Sequence, residues 1–332
     1  MIDVRQVDKC DETQVRDWWQ ASHDGAVAGR PYDTYTPWEL ARQAAATDNP
    51  DWDLVFVAAY DGGRVVGAGV TNMPLSDNTD HAYLEVYVPE PERRRGVGTA
   101  VLAAVEEVAT SGGRNVLVAE AIAPVGGTSP GEPFAARHSY ALANREGFKV
   151  LDLPQYAGSW GALDEHVAAR IGDYRVVEWT NRVPDELVDG VCGALNRFIG
   201  MIPTGDLEMG DLNYTPERIR RREERAARLG TTGLAGAALS ADGSLAGYHD
   251  VFVDAARTSQ ANIGITMVLP EHRGHSLGLA MKLATHRSLR ARFPDCQIVL
   301  TGNADVNEHM NAVNGQLGYR LVEQILEFQK VL

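Results

Sequence analysis

Two segments of the chain could each bind an anionic group. Arg93, Gly96 and Gly98 lie in the stretch PERRRGVGTAVL, and the stretch PEHRGHSLGLAMKL repeats the arrangement from Arg273. Glycines between a strand and a helix allow successive backbone N–H groups to point at an anion, and the helix N-terminus adds partial positive charge. Arginine supplies paired donors for phosphate. The two segments therefore predict loops that bind a pyrophosphate.

Two other classes of phosphate loop do not fit. A Walker A loop needs Gly-Lys followed by Ser or Thr, and neither segment has that sequence. A dinucleotide loop needs a third glycine, and Val101 stands at that position. The histidines lack metal-ligand spacing and Ser129 lies in a Gly/Pro-rich stretch, so neither a metal site nor a serine hydrolase is expected.

The elements around each loop repeat as well. In each half, two β-rich runs joined by an Asp-Gly turn predict a hairpin, and a third apolar run leads into the loop. A helical pattern and another β-rich run follow. Three pairs of matching residues are each 180 positions apart: Gly67 and Gly247, Val88 and Val268, and Arg93 and Arg273. The repeat predicts a duplicated α+β unit with α/β/α layers.

The length of the chain agrees with a duplication. A chain of 332 residues suits two domains of about 150 residues each. We expect an N-terminal domain over 1–155 and a C-terminal domain over 174–332. A linker is expected at about 156–173, where Pro, Gly and polar residues mix.

Composition narrows the class of protein. A net charge of −14 disfavours nucleic acid as a partner. No apolar run is long enough to span a membrane, and the N-terminus lacks the features of a secretory signal, so a cytoplasmic location is expected. The three cysteines, Cys10, Cys192 and Cys296, stand in unrelated contexts, which argues against a disulfide framework or a thiolate metal site.

The pattern Arg-x-x-Gly-x-Gly after a strand that ends Val-Pro-Glu resembles the acetyl-CoA loop of the GCN5-related N-acetyltransferase (GNAT) superfamily. The resemblance implies two tandem GNAT domains, each with a mixed, mostly antiparallel sheet flanked by helices. It implies acetyl-CoA or another acyl-CoA as acyl donor, and no metal. In the first half the implied donor-binding residues are Val86, Val88, Arg93, Arg94, Arg95, Gly96, Val97, Gly98 and Thr99. In the second half they are Val268, Arg273, Gly274, His275, Ser276, Leu277, Gly278 and Asn307.

The two loops are not identical. Ser276 replaces the first glycine of the second copy, which places a side chain where backbone approaches phosphate. Weaker binding or a shifted loop is expected there. The first half is therefore favoured as the half that binds CoA.

The end of each half extends the resemblance. In the second half, Asn307, Met310, Gly318 and Tyr319 fall on the family's Asn-x-x-Ala-x-x-Leu-Tyr-x-x-x-Gly-Phe helix, with Asn314 at the position of the usual tyrosine. The first half is expected to keep Gly147 and Phe148, with Ala136 at the asparagine position and Ala143 at the tyrosine position. The tandem arrangement is similar to two-domain actinobacterial acetyltransferases, broadly including mycothiol synthase.

The family's mechanism implies which residues act. An amine, deprotonated by a carboxylate or through water, attacks the thioester carbonyl, whose oxygen is held by a strand backbone N–H. Glu85, on the strand that leads into the first loop, is the candidate base; Glu308 and His309 are the candidates in the second half. The family's tyrosine protonates the departing thiolate, so Tyr140 and Asn314 are the residues to consider for that role.

Two kinds of function stay open. The first is an N-acyltransferase acting on the primary amine of a small metabolite, in specialised metabolism or antibiotic modification. Its donor is an acyl-CoA or, alternatively, a phosphopantetheine arm on an acyl carrier protein. The second is a catalytically degenerate CoA-binding or regulatory protein. Nucleic acid and membrane are not expected as partners, and both a monomer and a homodimer fit the sequence.

Overall fold

The computed structural model describes residues 2–156 and 158–332. The chain forms two compact units. The first comprises Met1–Asn144, Asp206–Glu208 and Leu326–Leu332, and the second comprises Arg145–Gly205 and Met209–Ile325. This division differs from the boundaries expected from the sequence, because the closing residues of the chain belong to the first unit and the residues from 145 onward belong to the second.

The first unit is a sheet between helices. Its strands are β1 (Asp3–Gln6), β2 (Trp52–Asp61), β3 (Arg64–Pro74), β4 (His81–Tyr87) and β5 (Val116–Pro124), which lie in that order. Its helices are α1 (Glu12–Val27), α2 (Trp38–Ala45), α3 (Val97–Ser111) and α4 (Gly131–Arg137). β1 to β4 pair antiparallel and β4 pairs parallel with β5.

The second unit repeats this arrangement. Its strands are β7 (Arg175–Thr180), β8 (Thr231–Leu239), β9 (Leu245–Asp254), β10 (Gln260–Val268), β11 (Ile298–Ala304) and most of β6 (Ala141–Asp152). The last strand of the chain, β12 (Arg320–Val331), begins in the second unit and ends in the first. The order is β6-β11-β10-β9-β8-β7, and β10 pairs parallel with β11. Its helices are α5 (Leu153–Tyr156), α6 (Gly161–Ala168), α7 (Val188–Asn196), α8 (Pro216–Arg228), α9 (Leu277–Arg292) and α10 (Glu308–Leu317). The predicted duplicated fold, a mostly antiparallel sheet flanked by helices, is confirmed.

The first unit has one core on each face of its sheet. Trp18 of α1 stacks on Phe56 at 4.1 Å between ring centroids and donates its indole N–H to the Gly69 carbonyl. On the other face, Val101 and Val105 of α3 pack against the strands. Both helices are amphipathic, so burying their apolar faces fixes them on opposite sides of β4.

A gap opens between the two parallel strands of each unit. β4 and β5 pair only as far as Leu84 and Ala119, although both strands continue beyond these residues. In the second unit, β10 and β11 pair only as far as Asn262 and Leu300. The loop that joins β4 to α3 lies beside the first gap, and the loop that joins β10 to α9 lies beside the second. The fold therefore places each Arg/Gly loop next to a gap in the sheet.

The segment expected to be a linker is folded. Residues 161–168 form α6, and Leu163 and Val167 pack against the core of the second unit. Trp160 is 2% exposed and donates its indole N–H to the Leu317 carbonyl. Apolar residues at helical spacing outweigh the Pro/Gly content that suggested a linker.

The first unit ends its closing helix at different residues from those that the motif match predicts. α4 ends at Arg137, Ser139 adopts φ 66°, and Tyr140 directly precedes β6. Gly318, at φ 98°, and Tyr319 stand in the same relation to α10 and β12. Ser139 and Tyr140 therefore correspond to the family's Gly-Phe pair.

The expected match of Gly147 and Phe148 to that pair is wrong, because both lie within β6, opposite Asn303 and Gly302. The backbone N–H groups of Tyr140 and Tyr319 donate to Ala135 and Asn314 respectively. Ala135, and not Ala143, therefore stands where the family's tyrosine would be.

Candidate active site

The first Arg/Gly loop has the geometry of an anion site. Arg93 is fixed by a hydrogen bond from its Nε to the Val88 carbonyl at 3.0 Å. Arg94 at φ 64° and Gly96 at φ 86° take left-handed conformations, and α3 begins directly afterwards at Val97. Alternating left-handed residues turn successive N–H groups toward one side, where the N-terminus of α3 also points.

The arginines of this loop have different partners. Arg95 forms ion pairs with Asp61, at 2.8 Å, and with Glu92. Arg94 is exposed, and both Arg93 and Arg94 line a cavity. Two of the residues expected at the donor site do not line the cavity. Arg95 forms ion pairs that stabilise the loop, and Val97 is buried in the core.

A cavity of about 720 Å³ begins at this loop and runs along the gap between β4 and β5. Its walls are mostly apolar, and its basic groups are Arg93, Arg94 and Arg137. The other lining residues are Gly25, Leu84, Val86, Val88, Gly96, Gly98, Thr99, Leu102, Ala119, Glu120, Ala121, Pro130, Gly131, Pro133, Phe134, Ala135, Tyr140 and Phe328. Basic groups with a long apolar cleft suit a ligand with phosphates at one end and an extended chain at the other.

Glu85 lies on the face of β4 that is turned away from this cavity. Leu84, Val86 and Val88 alternate with it and line the cavity. The Glu85 carboxylate accepts hydrogen bonds from Asn72 Nδ2 and from the Tyr87 hydroxyl, each at 2.9 Å. Burial raises the pKa of Glu85, and these two hydrogen bonds oppose the rise.

Aromatic side chains surround the α1 side of Glu85. The rings of Tyr35 and Tyr87 meet edge to face at 5.5 Å, and His23 contacts Tyr35 at 6.1 Å. Burial and the neighbouring Glu85 raise the pKa of both tyrosines, so their hydroxyls stay protonated near neutral pH. This side of β4 therefore offers a carboxylate among neutral aromatic groups.

Tyr140 lines the cavity, but its hydroxyl has a partner. It donates to Glu106 Oε1 at 2.9 Å, and Lys330 Nζ contacts the same oxygen at 2.8 Å. Burial and Glu106 raise the pKa of Tyr140. Tyr319 of the second unit makes a matching contact with His286 at 2.7 Å. In each unit, the tyrosine that precedes the strand therefore contacts a side chain of the helix after the Arg/Gly loop, α3 or α9.

The second Arg/Gly loop keeps the same backbone shape. Gly274 at φ 89° and Ser276 at φ 56° repeat the left-handed positions of Arg94 and Gly96. No shift of the loop is needed to accommodate the serine. Arg273 Nε lies 3.4 Å from the Val268 carbonyl, a longer contact than that of Arg93.

The second loop is contacted by the segment that follows α5. Ser276 Oγ lies 3.3 Å from His166 Nε2, and His275 Nδ1 lies 3.3 Å from the Arg170 carbonyl. His272 Nδ1 lies 2.9 Å from the Tyr174 hydroxyl. Side chains of this loop are thus engaged within the second unit, whereas Arg94 of the first loop faces a cavity.

The remaining sites expected in the second unit also have structural contacts. Asn307 caps α10 by accepting from the Met310 N–H at 3.1 Å. Leu277 is a core residue. Asn314 is buried and donates from Nδ2 to Asn303 Oδ1 at 3.1 Å.

The three residues expected to be catalytic do not meet. Glu85 lies on one face of β4, Tyr140 lies in the cleft on the other face, and Asn314 belongs to the second unit. Sequence reasoning missed the walls contributed by α4, such as Phe134, and it missed Phe328. No local signal marks Phe328, because it joins the first unit from the end of the chain.

The model of the acetyltransferase (GNAT) family matches residues 13–124, which include α1, the Arg/Gly loop and β5. These residues form a GNAT-family domain. Members of this family take acyl groups from acetyl-CoA or another acyl-CoA. No curated protein matches the sequence.

Solved structures of GNAT proteins are similar over the whole chain. A tandem GNAT protein from the clavulanic acid biosynthesis pathway is 25% identical, with a TM-score of 0.82 over 100% of this chain and 98% of that one. The fold is therefore that of a tandem GNAT protein. A GCN5-related N-acetyltransferase from Sphaerobacter thermophilus shares the fold at 14% identity, with a TM-score of 0.66 over 99% and 95% of the two chains.

N-myristoyltransferase of Saccharomyces cerevisiae, solved with bound myristoyl-CoA, shares the fold at 10% identity, with a TM-score of 0.59 over 99% of this chain and 79% of that one. Within the described residues, no helix is both long and apolar enough to cross a membrane.

Proposed function

We propose that the protein is an N-acyltransferase that moves an acetyl group from acetyl-CoA to the primary amine of a small metabolite. The proposal places the donor in the first unit. The observation that carries it is the cavity between β4 and β5, which begins at Arg93, Arg94 and the N-terminus of α3. The donor supplies a thioester carbonyl, to which the amine nitrogen bonds while the carbon–sulfur bond breaks and the thiolate takes a proton.

The residues of this cleft fit such a donor. Gly96 adopts a left-handed conformation at the point where backbone must approach phosphate. A Cβ at Gly98 would lie 3.4 Å from the Phe134 ring, so a side chain longer than one carbon would have to enter the space between the loop and α4. The arginines would hold the phosphates, and the apolar walls along β4 would hold the pantetheine chain.

Glu85 is the proposed base, acting from the opposite face of β4 to the donor. Its raised pKa lies nearer to neutral pH than that of an exposed glutamate, which suits proton transfer from an amine. The aromatic side chains around Tyr35 would form the wall on the acceptor side. The relative from the clavulanic acid pathway supports a role in specialised metabolism.

One observation favours a second candidate, a protein that binds CoA without catalysis. The position of the family's acid tyrosine is Ala135 in the first unit and Asn314 in the second. An enzyme of this sequence must therefore protonate the thiolate from solvent or from another group.

Incubation with acetyl-CoA and a chemically varied panel of amines, with release of free thiol as the readout, tests the proposal. Thiol release with at least one amine, and the matching mass increase of that amine, is expected. Binding of acetyl-CoA without thiol release for any amine would favour the second candidate. Parallel reactions with an acetylated acyl carrier protein decide whether the donor is CoA or a carrier-bound arm.

For Tyr140 we infer a positioning role rather than the acid role, because its hydroxyl proton is directed at Glu106. Tyr140→Phe is expected to lower kcat by no more than about threefold, since the proton lost is not one that the thiolate receives. The free energy of unfolding should fall by about 1 kcal/mol, the usual cost of one hydrogen bond. A fall in kcat of about 100-fold would instead make Tyr140 the general acid.

A further inference from the structure

A cluster of polar side chains is buried in the second unit, outside the site proposed above. His249, Lys282 and His286 are 0% exposed and Asn314 is 1% exposed. Each has one polar atom without a hydrogen-bond partner among the described residues: His249 Nε2, Lys282 Nζ, His286 Nδ1 and Asn314 Oδ1. A buried polar atom without a partner costs free energy, so four in one cluster require an explanation.

Contacts connect His249, His286 and Lys282, and Asn314 donates to Asn303 Oδ1, which also accepts from Lys149. The His249 and His286 rings lie 6.0 Å apart, and the Lys282 Nζ lies 5.3 Å from the centre of the Tyr319 ring. His286 Nε2 lies 2.7 Å from the Tyr319 hydroxyl. His249 Nδ1 lies 3.0 Å from the Ile265 carbonyl. Each histidine is thus held through one nitrogen, which leaves the other without a protein partner.

The cluster occupies the place that the cleft occupies in the first unit. Lys282 is the sixth residue of α9, as Leu102 is the sixth residue of α3, and Leu102 lines the first cleft. Thr266, which pairs with His249, corresponds to Val86, which pairs with Gly69 and also lines that cleft. The apolar wall of the first unit is therefore replaced by basic and hydroxyl groups beside the gap between β10 and β11.

The charges in the cluster are of one sign. The charged group that acts on Lys282 is Lys149 of β6, whose own Nζ donates to the Gly147 carbonyl and to Asn303 Oδ1. Burial and Lys149 lower the pKa of Lys282 to about 7, and burial and Lys282 lower that of His286 to about 3. With this pKa, Lys282 carries about half a positive charge at pH 7 and nearly a full charge at pH 6. Within the described chain, no carboxylate is hydrogen-bonded to its Nζ.

We propose that this cluster binds a small monocarboxylate, with Lys282 as its counter-ion and His286 Nδ1–H as a second donor. We assign the Tyr319 hydroxyl as the donor to His286 Nε2, which leaves the ring proton on Nδ1. Two donors match the two oxygens of a carboxylate, and one positive charge matches a monoanion. A phosphate dianion would need more donors and more charge than the cluster offers. The site lies in the second unit and does not depend on the function proposed for the first.

Calorimetric titration with sodium acetate and sodium benzoate, at an ionic strength held constant with sodium chloride, tests the site. The wild-type protein is expected to bind at least one of the two carboxylates. Binding needs Lys282 protonated, and the groups facing it (His249 of β9, His286 of α9, Lys149 of β6 and Tyr319) do not gain charge above pH 6. With a pKa of about 7, the protonated fraction falls about tenfold from pH 6 to pH 8, so affinity should fall about tenfold.

Lys282→Met should abolish this binding, because methionine fills the space without a charge. Lys330→Met is the matched control: Lys330 lies in the first unit and pairs with Glu106, so carboxylate binding should persist. Binding that survives in Lys282→Met, or no binding of either carboxylate to the wild-type protein at 50 mM, would overturn the proposal. Should Lys282→Met fail to fold, equal wild-type affinity at pH 6 and pH 8 would overturn it on its own.

Discussion

Gly98→Leu is expected to weaken the binding of acetyl-CoA by at least about 100-fold. Gly98 is the second residue of α3 and lines the cleft. A Cβ added there would lie 3.4 Å from the Phe134 ring and 3.6 Å from Val88 Cγ2. The rest of a leucine side chain would have to occupy the space between the loop and α4. Calorimetric titration with acetyl-CoA measures the loss, and circular dichroism checks that the fold is kept.

Gly278→Leu is the matched control, because Gly278 is the second residue of α9. A Cβ there would have only Val268 Cγ2 within 4 Å, at 3.8 Å, so the first side-chain carbon meets no close contact. Gly278 is buried, so circular dichroism checks that this variant also keeps its fold. Acetyl-CoA affinity is expected to stay within about twofold of wild type. Loss of binding in Gly278→Leu but not in Gly98→Leu would place the donor in the second unit. Partial loss in both variants would show two donor sites.

The first loop was predictable from sequence because its conformation depends on neighbouring residues. Arg93, Gly96 and the strand before them specify where backbone turns left-handed and where a helix begins, and the structure has both features at those positions. The same local rule suggested that Ser276 would disturb the second loop. Serine can take a left-handed conformation at a modest cost, so the loop shape persisted.

The composition of the cleft was less predictable because its walls come from distant parts of the chain. Phe328 reaches the first unit only because the chain's last residues fold there. Gly147 and Phe148 have the residue types of the family's Gly-Phe pair, but they lie inside a strand. The left-handed residue at the end of the closing helix is Ser139. A glycine is preferred at such a position but not required, so the sequence pattern pointed to the wrong residues.

The buried basic cluster of the second unit had no sequence signal. Lys282 sits in an alanine- and leucine-rich helix where a lysine usually reaches solvent, and only packing on every side shows that it does not. The two units therefore share a backbone fold but differ in the side chains beside the gap between their parallel strands, which are apolar in the first unit and basic in the second.

Glu85→Gln is expected to lower kcat/KM for the amine by about 100-fold or more, because glutamine cannot accept the proton of the attacking amine. The affinity for acetyl-CoA should be unchanged, since Glu85 faces away from the donor cleft. Glu178→Gln is a suitable control: Glu178 is also a strand glutamate that accepts from a hydroxyl, that of Ser288 at 2.8 Å, but it lies in the second unit. Its kcat/KM should match the wild-type value.

The pH dependence of kcat/KM separates a base from a merely structural carboxylate. A base must be deprotonated, so activity should fall as pH decreases through the pKa of Glu85, at a higher pH than for an exposed glutamate because burial raises that pKa. Tyr87→Phe removes a hydrogen bond that lowers this pKa, so the fall in activity should begin at a still higher pH. In Glu85→Gln, the residual kcat/KM should no longer fall as pH decreases through this range. An acidic limb that stays in place in both variants would assign the base to another group.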